Sequence, residues 1–162
     1  MLVMLETTSP LGPVQLLARG DALIAAHLCT PEAKYPLPDA PRGTSPVLER
    51  AAAQLAEYFA GARVGFDVPL AAEGTAYQQR VWKLLTTIPF GETWSYGKLA
   101  KAMGAPNASR AVGAANGKNP LWIIVPCHRV IGADGSLTGY AGGISAKKWL
   151  LAHEQRQQTL VG

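Results

Sequence analysis

Residues 95–115 read SYGKLAKAMGAPNASRAVGAA, and this stretch decides the fold of the second half of the chain. Two segments with helical patterning flank the turn-forming residues Gly104-Ala-Pro-Asn107, so the pattern predicts a helix, a short turn and a second helix. The second helix, residues 108–115, carries small side chains except for Val112 and Arg110. Such a bare helix lets another backbone or the floor of a groove approach closely. Tight packing against the protein's own core is the simpler explanation of this feature by itself.

Charge divides the chain close to residue 74. Residues 1–73 contain five Lys or Arg and eight Asp or Glu, whereas residues 74–162 contain ten Lys or Arg and three acids. A basic half of this kind is expected of a protein that binds a polyanion such as nucleic acid, because Lys and Arg neutralise phosphates. A solvated basic surface fits the charge alone equally well.

Composition places the chain among globular proteins. It has 162 residues, of which 48% are hydrophobic and 16% charged, which favours a packed core and excludes disorder. The length allows one domain or two small lobes, and we place the boundary between an N-terminal lobe, 1–73, and a C-terminal lobe, 74–162. Two cysteines are too few for a disulfide scaffold, and no apolar run could cross a bilayer, so we expect a cytoplasmic protein.

The N-terminal lobe is predicted to be α+β. Apolar runs at 2–5, 14–18 and 23–28 indicate an antiparallel sheet, and the proline-rich segment 31–46 indicates a loop. Ser45 and Pro46 begin a predicted amphipathic helix that Gly61 ends, and alternation over 66–70 indicates an edge strand. His27 and Cys29 are too few for a metal site and are interpreted as buried structural residues.

The C-terminal lobe is predicted to be mostly helical. A capping box at residues 75–78 begins a helix that Pro89 ends. The run 121–125 is predicted to be a buried strand, and residues 139–143 form a glycine-rich loop. A last helix begins at Ser145, turns Trp149 and Leu150 inward and ends near residues 153–154. The fold class is therefore α+β, with a small sheet-plus-helix lobe followed by a helical lobe that carries a winged-helix-like helix-turn-helix.

A cysteine and a histidine lie side by side where the predicted strand ends, in Pro126-Cys-His-Arg-Val130. A thiolate is a strong nucleophile, and a nearby base makes it available at neutral pH. Adjacent residues of an extended chain point in opposite directions, so His128 can serve Cys127 only if the chain turns or a water bridges them. Glu154, one of three acids in this lobe, is the candidate to orient His128. A buried, inert cysteine beside a surface histidine explains the pair as well.

The motif around Cys127 resembles the active-site signature of the O6-alkylguanine-DNA alkyltransferases, also called methylated-DNA:protein-cysteine methyltransferases. Further motifs occur in the order and at the spacing of that family and cover essentially all of 74–162. They are Ser95-Tyr96, Ser109-Arg-Ala-Val-Gly-Ala114, Lys118-Asn-Pro120, Gly139-Tyr-Ala-Gly-Gly143 and Lys148-Trp-Leu-Leu-Ala-His-Glu154. The N-terminal lobe resembles the family's variable domain only in size and layout.

The resemblance implies DNA repair by a single-turnover suicide reaction. The cysteine takes the alkyl group from O6 of a flipped-out guanine, and O4-alkylthymine is a second expected substrate. Cys127 would be the acceptor, His128 a base acting through water, and Glu154 its orienting partner. Tyr96 would donate a proton to the leaving guanine, and Asn119 would brace the active-site turn. The implied substrate pocket consists of Val130, Tyr140, Ala141 and Gly142, with the carbonyls of Cys127 and Val130 accepting from the guanine amine.

The resemblance also implies how DNA is bound. The bare helix would enter the minor groove of double-stranded DNA, where sequence is read poorly, so little sequence preference is expected. Arg110 would fill the space that the flipped base leaves. The other implied DNA-binding residues are Tyr96, Ala108, Ser109, Ala111, Gly113 and Ala114.

Two features depart from some relatives. Ala141 stands where some carry a serine, so a backbone N–H must serve O6 instead, and the zinc ligands of some N-terminal domains have no counterpart. We therefore expect no metal, no cofactor, no membrane association and no obligate protein partner, and we expect a monomer.

Two other classes of function remain as alternatives to alkyl transfer. A lesion-binding or regulatory helix-turn-helix module would bind DNA without modifying Cys127, and a cysteine hydrolase would turn over repeatedly.

Overall fold

The computed structural model describes residues 1–33, 37–137 and 139–161, with side chains described up to residue 157. Its contacts divide the chain into two compact units. The first contains Met1–Glu73 together with Pro120–Ile124, and the second contains Gly74–Asn119 and Val125–Gly162. The fold is α+β, and no helix in the described part of the chain is long and apolar enough to cross a membrane.

The first unit is a three-stranded antiparallel sheet with one helix. Strands β1 (Leu2–Thr7), β2 (Val14–Arg19) and β3 (Ala22–Leu28) pair in sequence order, as the apolar runs predict. Helix α1 (Pro46–Phe59) begins at Ser45, whose hydroxyl accepts a hydrogen bond from the Leu48 N–H. Residues 34–36 of the predicted proline-rich loop lie outside the described residues.

Three predictions are wrong: two were made for the N-terminal lobe, and one was made for the C-terminal lobe at residues 121–125, of which 121–124 belong to this unit. The alternation over 66–70 produces no strand but a single bridge between Leu70 and Leu23, and Cys29 is exposed rather than buried. The run 121–125 is not a strand either. Its first residues lie beside β3, where the Ala26 N–H donates to the Pro120 carbonyl at 2.9 Å, and the chain then turns through Ile123 at φ 74°. A β-branched residue at positive φ is rare, and it interrupts an extended path.

The second unit is mostly helical. Helix α2 (Ala76–Leu85) carries the predicted capping box between Thr75 and Gln78. A two-residue strand, β4 (Trp94–Ser95), leads into α3 (Tyr96–Ala102), and Gly104 at φ 79° starts the turn to α4 (Ser109–Gly117). Only glycine adopts that backbone conformation at little cost, so the predicted turn falls where expected.

The remaining elements surround the predicted site. A single 3₁₀ turn spans Cys127–Arg129, and the short strand β5 (Val130–Ile131) follows it and pairs with β4 in parallel. Helix α5 (Ile144–Val161) is longer than predicted, because the residues after Glu154 continue it. Leu150 is buried as expected, whereas Trp149 is half-buried.

Candidate active site

The chain turns sharply at Cys127, which removes the sequence-based objection to a cysteine–histidine pair. Pro126 precedes the 3₁₀ turn, the Arg129 N–H donates to the Pro126 carbonyl at 3.0 Å, and the Val130 N–H donates to the Cys127 carbonyl. Successive residues of a 3₁₀ helix are separated by about 120° rather than pointing to opposite sides. Cys127 and His128 therefore do not have the opposed orientations of an extended strand.

The Cys127 thiol is buried and hydrogen-bonded. Its side chain is 4% exposed, and the Asn119 amide Nδ2 lies 3.2 Å from Sγ. The same Nδ2 donates to the Val125 carbonyl at 3.0 Å, so Asn119 ties the thiol to the chain that enters the turn. Burial raises the pKa of Cys127 to about 11, although the Asn119 hydrogen bond and the Lys147 charge oppose that rise. The resting group at neutral pH is therefore the thiol, and a reaction at sulfur requires a base.

A base lies beside it on the same turn. His128 is completely buried, and its Nε2 lies 2.8 Å from Oε2 of Glu154. Burial lowers the pKa of His128, so the imidazole is neutral at pH 7. Since Glu154 accepts at Nε2, the ring carries its proton there, and Nδ1 is left as the acceptor. Nδ1 is buried and has no hydrogen-bond partner among the described residues.

Glu154 has a second partner, Arg129, which the sequence analysis missed. Arg129 Nε lies 2.8 Å from Glu154 Oε1, and Arg129 Nη2 lies 3.0 Å from Oε2, which makes a two-pronged ion pair. Arg129 also donates from Nη1 to the Ile88 carbonyl at 2.8 Å. Burial would raise the pKa of Glu154, but the hydrogen bonds and charges of His128 and Arg129 hold it well below the usual range. Glu154 is therefore a carboxylate at neutral pH. The scarcity of acids in the basic half could have revealed this pairing, since a buried arginine needs a partner.

A second missed residue is Lys147, which is 0% exposed. Its Nζ donates to the Val130 carbonyl at 2.5 Å, and burial lowers its pKa to about 8. Helical spacing could have predicted the burial of Lys147. It lies three residues before Leu150 and seven before Glu154, on the same buried face of α5.

The predicted pocket residues are all buried. Val130 follows the 3₁₀ turn, and the Tyr140 ring meets the His128 ring edge-on at a centroid distance of 6.5 Å. Burial raises the pKa of Tyr140 well above 10, so its phenol is neutral. Ala141 and Gly142 complete the buried group.

Tyr96 lies against two glycines. A Cβ added at Gly113 would lie 3.5 Å from the Tyr96 ring, and one added at Gly139 would lie 3.3 Å from its hydroxyl oxygen. The first glycine belongs to α4 and the second to the glycine-rich loop. Small residues at these positions therefore let Tyr96 approach both the predicted DNA-binding helix and the loop that carries Tyr140.

The exposed face of α4 carries the predicted DNA-binding residues Ser109, Arg110, Ala111 and Ala114. Ala108 and Gly113 are half-buried, whereas the opposite face buries Val112, Ala115 and Asn116. The Ala115 carbonyl accepts a hydrogen bond from the Trp82 indole at 2.8 Å, which attaches α4 to α2. Helix α4 thus exposes small side chains and one arginine, while its opposite face is held against α2.

Comparison with known proteins gives a consistent assignment. The family model described as 6-O-methylguanine DNA methyltransferase, DNA binding domain, matches residues 76–156, and that of the ribonuclease-like domain matches residues 5–72. A methylated-DNA–protein-cysteine methyltransferase of Methanosarcina acetivorans is 49% identical over 146 residues, which cover 90% of this chain and 94% of the relative. One from Mycobacterium tuberculosis is 51% identical over 151 residues, or 91% and 88% of the two chains.

Solved structures agree in fold. The crystal structure of Mycobacterium tuberculosis O6-methylguanine methyltransferase matches at a TM-score of 0.87 with 46% identity over 100% of both chains. The Mycobacterium tuberculosis OGT structure in complex with DNA matches at 0.87 with 49% identity, covering 96% of this chain and 94% of that one. The fold and the site define a two-unit α+β protein whose second unit buries a cysteine on the same turn as a histidine. The chain belongs to the 6-O-methylguanine DNA methyltransferase family.

Proposed function

We propose that this protein is a methylated-DNA–protein-cysteine methyltransferase, which repairs DNA by moving the alkyl group from O6 of guanine to Sγ of Cys127. The observation that carries the proposal is the buried Cys127 thiol on a turn shared with His128, whose far nitrogen is bound to Glu154. The family relationship supports the reaction and the DNA substrate.

Proton movements follow from the charges in the site. The resting thiol loses its proton to neutral His128 at Nδ1 through a water, as Sγ forms a bond to the alkyl carbon and the C–O6 bond breaks. Glu154 stabilises the resulting imidazolium. The departing guanine carries negative charge and accepts a proton from Tyr96. Solvent then returns a proton to Tyr96 and takes one from the His128 imidazolium, so in total the thiol loses one proton and guanine gains one. The thioether that forms has no displaceable group, so each molecule acts once.

The substrate must leave the base stack before sulfur can reach it. We propose that Tyr96 helps to rotate the nucleotide out of the duplex, and that Arg110 fills the gap, while α4 lies in the minor groove. The small exposed residues Ser109, Ala111 and Ala114 fit a narrow groove. Little sequence preference follows from this binding mode, because the minor groove presents a degenerate pattern. We also propose that the protein binds as a monomer without an obligate protein partner, and that flipped O4-alkylthymine is a second substrate.

Several buried groups would hold the flipped base. The carbonyls of Cys127 and Val130 accept hydrogen bonds from the exocyclic amine of guanine, and backbone N–H groups near Ala141 and Gly142 serve O6. Tyr140 forms a wall of the alkyl pocket, consistent with its burial and its edge contact with His128.

Intact-mass measurement tests this function directly. The protein is incubated with duplex DNA that contains one O6-methylguanine and is then digested for peptide mapping. We expect one added methyl group, on Cys127, with saturation at one per protein. An unchanged mass with retained DNA binding would instead indicate a lesion-binding module, and repeated turnover of an ester would indicate a hydrolase.

Arg110→Ala is expected to slow repair of duplex DNA by about tenfold while leaving reaction with free O6-benzylguanine nearly unchanged, because only the duplex requires a flipped nucleotide. The comparison is made by single-turnover rates on both substrates. Arg80→Ala, on exposed α2 surface in the same unit, removes the same charge and serves as the control. Equal losses on the two substrates would contradict a role in base flipping.

A further inference from the structure

The proposed mechanism leaves one buried charge unused. Lys147 is fully buried in α5, although an isolated ammonium group in the protein interior is costly. Its pKa, lowered by burial to about 8, still leaves most molecules charged at pH 7. A buried cation of this kind requires strong hydrogen-bond acceptors, and the 2.5 Å contact with the Val130 carbonyl supplies one.

The Val130 carbonyl is one of two backbone acceptors at the ends of the 3₁₀ turn that carries the Cys127 thiol. The other is the Cys127 carbonyl, which accepts from the Val130 N–H at the end of the 3₁₀ turn. The Asn116 Nδ2 lies 3.5 Å from this second oxygen, at the long limit for a hydrogen bond. Each carbonyl therefore has a side-chain donor, Lys147 from α5 and Asn116 from α4, and the donor from α5 is much the closer.

We infer that Lys147 is a positioning residue for guanine: it fixes the direction of the Val130 carbonyl so that this oxygen can accept a hydrogen bond from the exocyclic amine of the base. The inference rests on the proposed function, which places the amine against these carbonyls. A carbonyl oxygen can accept two hydrogen bonds, and a short charge-assisted bond fixes its direction. Asn116 does the same for the Cys127 carbonyl, with a smaller effect because its contact is longer.

Lys147 also favours the Cys127 thiolate through its charge, and that influence must be separated from carbonyl positioning. An effect on sulfur acts on every alkylated base, whether or not the base carries an amine. An effect on the carbonyl acts only on a base that has the amine. The two roles therefore differ in substrate preference rather than in overall rate.

The experiment is a competition between two duplexes in one tube, one with O6-methylguanine and the other with O6-methylhypoxanthine, which lacks the exocyclic amine. Each carries a distinct isotopic methyl label, and the mass of the Cys127 peptide gives the ratio of transfer. We expect the unchanged protein to favour guanine by about tenfold, the size of one well-placed hydrogen bond. Lys147→Met should reduce that preference to about twofold or less, whereas Lys148→Met, on the exposed neighbour, should retain it.

The preference is measured within one preparation, so a smaller folded fraction of Lys147→Met cancels from the ratio. Lys147→Gln, which keeps an N–H donor without the charge, should give an intermediate preference, and Asn116→Ala should lower it less than Lys147→Met does. A Lys147→Met protein that is slower with both duplexes but keeps its preference would overturn the inference, as would an unchanged protein that has no preference. No methyl transfer from either duplex to the unchanged protein would overturn the proposed function itself.

Discussion

Cys127→Ala is expected to abolish alkyl transfer completely while leaving duplex binding intact. Alanine has no nucleophile, and no neighbour replaces it, since the reacting carbon must meet sulfur at the start of the 3₁₀ turn. Asn119 keeps its hydrogen bond to the Val125 carbonyl, so the turn should persist without the thiol. The exposed face of α4, which we propose as the DNA-binding surface, is unaltered by the change.

The matched control is Cys29→Ala, because Cys29 is the second cysteine of the chain and is exposed in the first unit. That variant should still gain one methyl group per molecule, on Cys127. Transfer is measured by intact mass, and binding by fluorescence anisotropy of a labelled duplex. Methyl transfer that survives Cys127→Ala, or that disappears with Cys29→Ala, would refute the assignment of the acceptor.

Local signals in the sequence predicted the helices of the second unit well. Thr75, Ser95 and Gly104 each determine a helix start or a turn through their own chemistry, and α2, α3 and α4 begin within a residue or two of their predicted positions. The prediction of a strand at 121–125 was wrong because the conformation of this segment depends on tertiary contacts rather than on local chemistry. A short apolar run shows only that a segment is buried, and the path of this one depends on bonds from Ala26 and on the positive φ of Ile123.

The site likewise combines residues that the sequence identified with residues that only tertiary contacts revealed. Glu154 was predicted as the partner of His128 because the basic half offers few acids, and the 2.8 Å contact is present. Arg129 and Lys147 were missed, since their functions depend on tertiary contacts with the Ile88 and Val130 carbonyls that no local pattern encodes. Sequence motifs thus identified the groups proposed to react, whereas the groups that hold them in place required the fold.

Glu154→Gln is expected to slow methyl transfer by about 100-fold, the usual contribution of a correctly held base. The amide can accept at one atom only, so it cannot receive the two bonds from Arg129 and the bond from His128 together. His128 then loses the partner that fixes its Nε2 proton and stabilises its charged form. We also expect a loss of about 3 kcal/mol in the free energy of unfolding at pH 7, because a buried arginine is left without a countercharge.

The pH dependence separates the catalytic effect of Glu154 from its effect on stability. The folded-state pKa values of His128 and Glu154 both lie below their ordinary values, so their stabilising contributions are present at neutral pH and are lost on acidification. The contribution of His128 declines as pH falls below about 6.5, and that of Glu154 as pH falls below about 4.5. Glu154→Gln removes the contribution of Glu154. The difference in free energy of unfolding between the unchanged protein and Glu154→Gln should therefore become smaller from pH 7 to pH 3.

Single-turnover transfer rates at pH 5 to 9 and chemical denaturation at pH 3 to 7 provide the decisive comparison for Glu154→Gln. The transfer rate of the unchanged protein should not rise from pH 7 to 9, because His128 is already neutral there and the thiol, with its pKa near 11, is still protonated. Lys147, whose pKa is about 8, loses its charge over the same range, and that loss should lower the rate. A rate that rises about tenfold per pH unit would mean that a pre-formed thiolate reacts without the base. Glu92→Gln, an exposed change of the same charge in the same unit, should alter neither rate nor stability. If Glu154→Gln lowers stability but transfers at the unchanged rate when folded, Glu154 supports the fold and does not orient His128.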